Sequence, residues 1–533
     1  MNVNDGSRTL SVWRGAAVLT VAAFVTKVLS AFYRVPYQNI VGDVGFYIYQ
    51  QVYPIYGIVT ALATYGYPVV ISKLVAERAE EKDEEGISYI LQVSLWFLTM
   101  IGVFCFILLY TGATSIAKWM GDEKLTPLIR IISFSFLLLP FLSVLRGYFQ
   151  GKNDMVPTAI SQVAEQSVRV VTIIGSSYLL IKSGHTMYEA GAGAIFGSLT
   201  GGLAALLLLS AYWLRRRRLQ HLNPITTLRA GTIIRYLFVQ GLTICVANMV
   251  LTLTQLADAM SLLSLLIHHG IEEHTAKMLK GAYDRGQPLL QLGTVVATSF
   301  SLTLVPLIAG AKKRGDDAFI LEKMNLSLRI AMVIGIGASF GLAILIRPTN
   351  IMLFENDAGS WQLAILAISI FFATMSLTAS ALLQGIGYER FSIIGVVIAF
   401  ICKWLCNIWF VHMFGITGAA LATLLSYMLM FIFLYWILQK NTGVPLIRKK
   451  DIYAMIKAAF IMIVTLQLYM WLTESWQESR LGAAGQALAG VLLGGSVYII
   501  MVFKGTIFSP QEATFFPFGE KLHRFLSKIG DEQ

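Results

Sequence analysis

An all-α, polytopic membrane protein of fourteen transmembrane helices, arranged as two pseudo-symmetric six-helix lobes plus two C-terminal helices, is the fold that the sequence predicts. Three observations predict it. Of the 533 residues, 56% are hydrophobic and only 13% charged, which is more apolar than a soluble domain of any class. Runs of about 20 apolar residues, the length that crosses a hydrocarbon core, recur fourteen times. The pattern that closes the fourth run returns at the close of the tenth.

The runs begin near Leu10, Tyr47, Ser88, Pro127, Thr158, Glu189, Tyr236, Pro288, Leu326, Trp361, Phe391, Ile416, Ile452 and Gly482. The first holds Lys27 and is followed by Tyr33-Arg34-Val35-Pro36 instead of a small-residue cleavage site, so it reads as a retained helix. An even number of spans puts both termini on one face. Lys and Arg number 28 on that face and 10 on the other, with Lys27, Arg169 and Lys403 inside spans, so both termini are expected to be cytoplasmic. The net charge of +11 follows from the same bias, and no nucleic-acid partner is expected. Arg215 to Arg218, just after the sixth span, read as a stop and an anchor on membrane lipid headgroups. All four cysteines lie in apolar runs, which indicates neither a disulfide framework nor a thiolate metal cage. His268, His269 and His274 with Glu272 and Glu273 match no standard ligand spacing and read as a solvated loop. Neither a metal nor another cofactor is expected. No connection exceeds roughly 25 residues, too short for a soluble catalytic domain of ordinary size.

The repeat rests on specific residues. The fourth span ends LLPFLSVLRGYFQGKNDMVPTAISQ and the tenth SLTASALLQGIGYERFSIIGVVIAF, which align Gln150-Gly151 with Gln384-Gly385 at a separation of 234. Eighteen residues beyond each glycine stand Arg169 and Lys403. Pro68 and Pro306, 238 residues apart, occupy similar places near the ends of the second and eighth spans. Residues 1–220 and 221–440 are then two six-helix lobes in the same orientation, and 441–533 carry two further helices and a tail. A substrate site is expected between the lobes.

Charges inside the spans point to that site. Glu165 and Arg169, at i and i+4, can pair on one helix, and an unpaired charge at mid-bilayer costs about 2.5–3.5 kcal/mol on insertion scales. Intramembrane charges also tend to face a water-filled cavity. Lys27 lies mid-span with Arg34 about two turns later, Asp258 lies in the seventh span, Arg285 opens the eighth, and Lys403 and Asn407 stand one turn apart in the eleventh. The excess is basic. If these groups converge, the cavity suits a phosphate or pyrophosphate, which Arg holds bidentately. Arg34 and Arg285 can instead snorkel to headgroups. Asp258 can neutralise Lys403 or bind a cation, and residue types alone leave both open.

The segments LRGYFQGKNDMVPTAISQVAEQSVRV, NIVGDVGFYIYQ and AYDRGQPLLQLG resemble the polysaccharide-export branch of the multidrug/oligosaccharidyl-lipid/polysaccharide exporter superfamily, over essentially the whole chain. Within it the chain looks most like the stage V sporulation protein B group, kin of the MurJ-type lipid II flippases. The resemblance implies a flippase that carries an undecaprenyl-pyrophosphate-linked cell-wall precursor across a bacterial plasma membrane by alternating access. Its partners would be that lipid-linked sugar pyrophosphate, membrane lipids and cell-wall synthesis enzymes. Arg34 and Arg285 match family arginines of a central cationic cavity, and Lys27 stands near a further common basic position. No arginine stands in the second span where lipid II flippases often have one. Members with a sodium site use acidic and amide groups from the seventh and eleventh helices, which Asp258 and Asn407 match, with Lys403 close by in place of a metal. The alternatives are a cation-coupled multidrug exporter of the same superfamily, to which a basic cavity is poorly suited, and an integral-membrane glycosyltransferase or ligase, for which no paired acids stand at a metal-binding spacing. The expectation is therefore a transporter and not an enzyme, with Lys27, Arg34, Arg169, Arg285 and Lys403 binding substrate, and Glu165, Asp258 and Asn407 pairing charge or coupling.

Overall fold

The computed structural model describes residues 3–216, 229–443, 446–505, 507, 508 and 512; Arg217 and Arg218 of the basic cluster lie outside them. Every regular element among the described residues is helical. The chain divides into two compact units, Met1–Asp284 with Ala399–Ala419, and Arg285–Ile398 with Ala420–Gln533.

In the first unit, α1 (Val3–Phe32), α2 (Arg34–Ala61) and α3 (Tyr67–Glu80) follow one another with little interruption. Gly42 bends α2 with φ of 67°, a conformation that an L side chain resists. Between α2 and α3 lies a π-helical turn, Leu62–Gly66. Pro68 follows it, and the wider turn accommodates a ring that lacks an N–H and crowds the preceding carbonyls. α4 (Glu84–Trp119) is capped by the Asp83 carboxylate, which accepts from Gly86 N at 2.7 Å. α5 (Thr126–Ser133), α6 (Ser135–Gly151), α7 (Val156–Lys182) and α8 (Met187–Arg216) complete the first 216 residues.

The pairing of α7 with α8 positions the site. Gly193, Gly197 and Gly201 recur every fourth residue along α8, so one helix face presents almost no side chain to α7. A Cβ at Gly197 would stand 3.1 Å from the Arg169 carbonyl oxygen, and one at Gly201 2.6 Å from that of Glu165. Small residues at this spacing let helices approach backbone to backbone.

After α8 come α9 (Ala230–Tyr236), a second π turn (Leu237–Gly241), α10 (Leu242–Ala247), α11 (Val250–His268) and α12 (Glu273–Asp284). The two π turns are neighbours. A Cβ at Gly66 would meet Cys245 Sγ at 1.7 Å, and one at Gly241 would meet the Tyr67 ring at 2.8 Å.

The second unit is built on α13 (Gly286–Arg314), α14 (Asp317–Ile344), α15 (Ile346–Phe354) and α16 (Ser360–Gly385). It also holds the start of α17 (Glu389–Phe414), most of α18 (Ile416–Thr442), and α19 (Lys449–Leu472) and α20 (Arg480–Lys504). Asp316 and Ser479 cap α14 and α20 from their side chains. Left-handed residues mark the repeat again: Gly121 and Glu355 are 234 residues apart, as are Asn153 and Gly387, each near a helix C-terminus.

Twelve helical segments among the described residues are long and apolar enough to cross a membrane, against the fourteen expected. The first two expected spans merge into Val18–Glu80, and the seventh divides into Ala230–Ala247 and Val250–His268. α7 and α13, where the fifth and eighth were expected, are continuous helices outside the twelve. The chain is an all-α, multi-pass membrane protein.

Gly201→Ala is expected to destabilise the protein by about 1–3 kcal/mol through overpacking against the α7 backbone. Gly175→Ala, on the same helix pair but facing open space, is expected to leave the midpoint unchanged or slightly raised. Thermal unfolding in one detergent compares the two.

Candidate functional site

One group of buried charge is built by α2 and α7. Tyr49, Tyr53 and Tyr56 fall at i, i+4 and i+7 of α2 and share one face, while Tyr33 stands at the junction of α1 and α2. The rings enclose Arg169, which α8 allows close to them. Arg169 Nη2 donates to Tyr49 Oη at 2.6 Å and to Tyr33 Oη at 3.2 Å, and Nη1 donates to Gln166 Oε1 at 3.3 Å. The guanidinium also lies 4.0 Å from the Tyr56 ring centre and 5.4 Å from that of Tyr53. Arg34, at the start of α2, lies over the same Tyr53 ring at 4.4 Å.

Two guanidinium groups therefore share one aromatic ring, both buried. Their separation of less than about 10 Å costs roughly 2 kcal/mol at an effective dielectric of 20. Among the described residues neither has a carboxylate within ion-pair distance. Arg34 Nε and Nη1 and Arg169 Nε have no hydrogen-bond acceptor. A buried charged donor without a partner is costly, and an anionic oxygen relieves both the missing bonds and the repulsion.

Glu165 does not pair with Arg169, and this corrects the i, i+4 expectation. Its Oε2 takes Arg146 Nη2 at 2.6 Å and its Oε1 accepts from Tyr56 Oη at 3.1 Å. Arg146, on α6, is fully buried and spends its other donors on Ser161 Oγ (3.3 Å), Thr64 Oγ1 (3.0 Å) and the Ala63 carbonyl (3.2 Å). The last two belong to the π turn, whose altered ladder exposes acceptors to a side chain. Glu165 thus neutralises a structural arginine and holds Tyr56, and Arg169 is left to the tyrosines.

A second group lies where α11 and the end of α17 meet. Lys403 Nζ is 2.7 Å from Asp258 Oδ1 and donates to the Ala419 carbonyl at 2.8 Å and to Tyr283 Oη at 3.4 Å. Asn407 Nδ2 donates to the same Asp258 Oδ1 at 2.9 Å and to Ser261 Oγ at 3.1 Å, and Tyr283 Oη donates to Asp258 Oδ2 at 3.1 Å. All are buried. Of the two roles that the residue types left open to Asp258, this geometry is the ion pair with Lys403.

Two further basic positions were expected in the site. Lys27 is half-buried on α1, without a hydrogen bond or ion pair among the described residues. Arg285, in the second unit, is buried, with Nη1 donating to Asn350 Oδ1 at 3.1 Å and Asn356 Oδ1 at 2.8 Å, and lies 5.2 Å from the Phe354 ring centre.

Two further clusters belong to α12. Lys280 pairs with Asp284 at 2.8 Å. Lys277 reaches Asp122 at 2.9 Å, Glu273 at 2.6 Å and Tyr188 Oη at 2.9 Å. Asp122 Oδ2 also accepts from Tyr188 and Tyr47. Burial opposes the Lys277 charge, but bonds to Glu273, Tyr188 and Asp122 outweigh it and raise its pKa. The same bond from Lys277 holds Glu273 below the usual carboxylate range.

Sequence reasoning missed Arg146, Asp122, Lys277, Lys280 and the tyrosine cage. Arg146 sits at a span end, where a basic residue reads as an interfacial anchor. The i, i+4, i+7 spacing of Tyr49, Tyr53 and Tyr56 was the available signal for the cage.

A family model described as polysaccharide biosynthesis protein matches residues 12–312. The chain is 42% identical to the Uncharacterized membrane protein YabM of Bacillus subtilis (strain 168), over 99% of each chain. It is 25% identical to the Lipid II flippase MurJ of the same organism, over 91% of this chain and 94% of that protein. Its fold resembles a solved structure of lipid II flippase MurJ in an inward closed conformation, with a TM-score of 0.69 at 16% identity, covering 91% of this chain and 98% of that one.

Arg146→Met and Glu165→Gln each leave one buried charge uncompensated and are expected to destabilise the fold by about 3–5 kcal/mol. The apolar double variant Arg146→Met/Glu165→Leu is expected to be more stable than either. Unfolding midpoints of the three variants test this, and a neutral Arg146→Met would instead assign Glu165 to Arg169.

Proposed function

The chain belongs to the polysaccharide biosynthesis protein family, and on that premise we propose that it is a flippase. Its cargo is an undecaprenyl-pyrophosphate-linked cell-wall precursor, lipid II or a related lipid-linked oligosaccharide, carried from the inner to the outer leaflet of a bacterial plasma membrane. One observation carries the reading: Arg34 and Arg169 share the Tyr53 ring with unfilled N–H groups and no carboxylate partner. A pyrophosphate brings two negative charges and several oxygens to that place, and Arg binds such oxygens bidentately. Tyrosine rings beside the guanidinium groups supply apolar faces for the sugar attached to it.

In this reading Arg34 and Arg169 are the principal headgroup ligands and Lys27 is a further cation along the route; Arg285, buried in the second unit, is a separate candidate contact for the substrate. Glu165 positions Tyr56. Lobes 1–220 and 221–440 rock to alternate access, and 441–533 guide the polyprenyl tail. Both termini are cytoplasmic, on the side with 28 of the Lys and Arg residues. The pyrophosphate head is what makes unassisted crossing slow, since charge in hydrocarbon is strongly disfavoured. A site of excess positive charge is a poor host for cationic drugs, which sets the exporter alternative aside.

Arg34→Ala and Arg285→Ala are expected to abolish complementation of a flippase-deficient strain while the protein still inserts. Arg169→Ala is expected to reduce flipping of a labelled lipid-linked pyrophosphate in proteoliposomes at least tenfold. Full activity of the Arg34 and Arg169 variants in both assays would reject the reading.

A further inference from the structure

Lys403 is fully buried and its ammonium is held by oxygens. Around Nζ stand a carboxylate oxygen of Asp258, the Ala419 carbonyl and the Tyr283 hydroxyl, at 2.7, 2.8 and 3.4 Å. The approach of Ala419 depends on the tight connection from α17 to α18. Gly415 there has φ of 57°, and a Cβ at Gly418 would lie 2.0 Å from the Phe410 carbonyl oxygen, so glycines alone allow the backbone to fold back onto Lys403. Asn407 adds an amide whose nitrogen is bound to Asp258 and whose buried Oδ1 has no hydrogen-bond partner.

Carboxylate, backbone carbonyl and hydroxyl oxygens form the donor set of a hard cation, and the Asn407 amide stands beside the carboxylate. The resemblance to exporters with a sodium site implies such an ion at Asp258 and Asn407. The residues present do not fit one, because the ammonium stands where the ion would stand and already balances the carboxylate. We infer that Lys403 is a tethered cation: it fills, within the chain, a site that would otherwise take an alkali metal ion, and the protein's stability and turnover are independent of sodium and potassium.

The reasoning is one of conserved charge. A covalently attached +1 replaces a diffusible +1, so the Asp258 pair is neutral at every salt concentration. Removing the ammonium leaves a buried carboxylate with oxygen neighbours and an unfilled charge, which an alkali ion can balance. This inference does not rest on the identity of the cargo, because its readout is cation binding.

Purified wild type, Lys403→Ala, Asp258→Asn/Lys403→Met and Asp258→Asn/Lys403→Ala are compared in NaCl, KCl and choline chloride at constant ionic strength. Thermal midpoints and equilibrium binding of radioactive sodium are the readouts. Wild type is expected to have the same midpoint in all three salts and to bind no sodium. Lys403→Ala is expected to melt lower in choline and to recover by about 2–4 °C in sodium or potassium, with saturable sodium binding. Both double variants lack the carboxylate and are expected to lose salt dependence and binding. Sodium-specific stabilisation or binding in wild type would overturn the inference. So would a Lys403→Ala protein that sodium and potassium stabilise no better than choline, including one that fails to fold in every salt while Asp258→Asn/Lys403→Met folds.

Discussion

A charge inside hydrocarbon must be matched by something, and most of this molecule's polar architecture follows from how each cation meets that requirement. Arg146 is matched by Glu165 and Lys403 by Asp258, and on α12, outside the twelve spans, Lys280 meets Asp284 and Lys277 meets Asp122 and Glu273. Arg34 and Arg169 lie against aromatic rings, hydroxyls and the Gln166 amide oxygen, with no carboxylate within ion-pair distance among the described residues. Cation–π contacts offset part of the burial cost, about 0.5–2 kcal/mol each, but they supply no negative charge. The asymmetry separates cations paired with a carboxylate from the two that we propose bind the ligand.

The lack of a carboxylate beside Arg169 has a mechanical cause. Arg169 reaches the tyrosines because α8 presents Gly193, Gly197 and Gly201 to α7, and Glu165 is drawn off by Arg146 because the π turn at Leu62–Gly66 turns Ala63 O and Thr64 Oγ1 toward it. Were Arg146 apolar, Glu165 would be the nearest acid to Arg169 along α7, one helical turn away. The structural pair therefore keeps an acid off the pair of guanidinium groups. A similar division of labour holds at Lys403, where Asn407 and Tyr283 orient the carboxylate that the ammonium neutralises.

The architecture was legible because hydrophobic run length and Lys/Arg bias are additive along the chain and need no tertiary knowledge. The Gln-Gly repeat led from Arg169 to Lys403, and both are buried and central to their clusters. Partner choice was not legible. Glu165 and Arg169 have the spacing of an intrahelical pair, but a guanidinium from α6 competes with better geometry, and sequence separation says nothing about which wins. The two positions also differ in kind: one repeat member faces hydroxyls and the other a carboxylate, a difference set by α11, which spacing around Lys403 does not reveal. The span count differs because α1 to α3 follow one another with little interruption, because the helix breaks at Asn248 and Met249, and because polar groups in α7 lower the apolarity that defines a span.

The central claim is that the two guanidinium groups on Tyr53 await an anionic headgroup. An electron cryomicroscopy structure with bound undecaprenyl pyrophosphate tests it most directly. Phosphate density is expected within hydrogen-bond distance of Arg34 Nε or Nη1 and of the Arg169 guanidinium. Density for the pyrophosphate elsewhere, with both guanidinium groups still lying against Tyr53 and touching no phosphate, would contradict it.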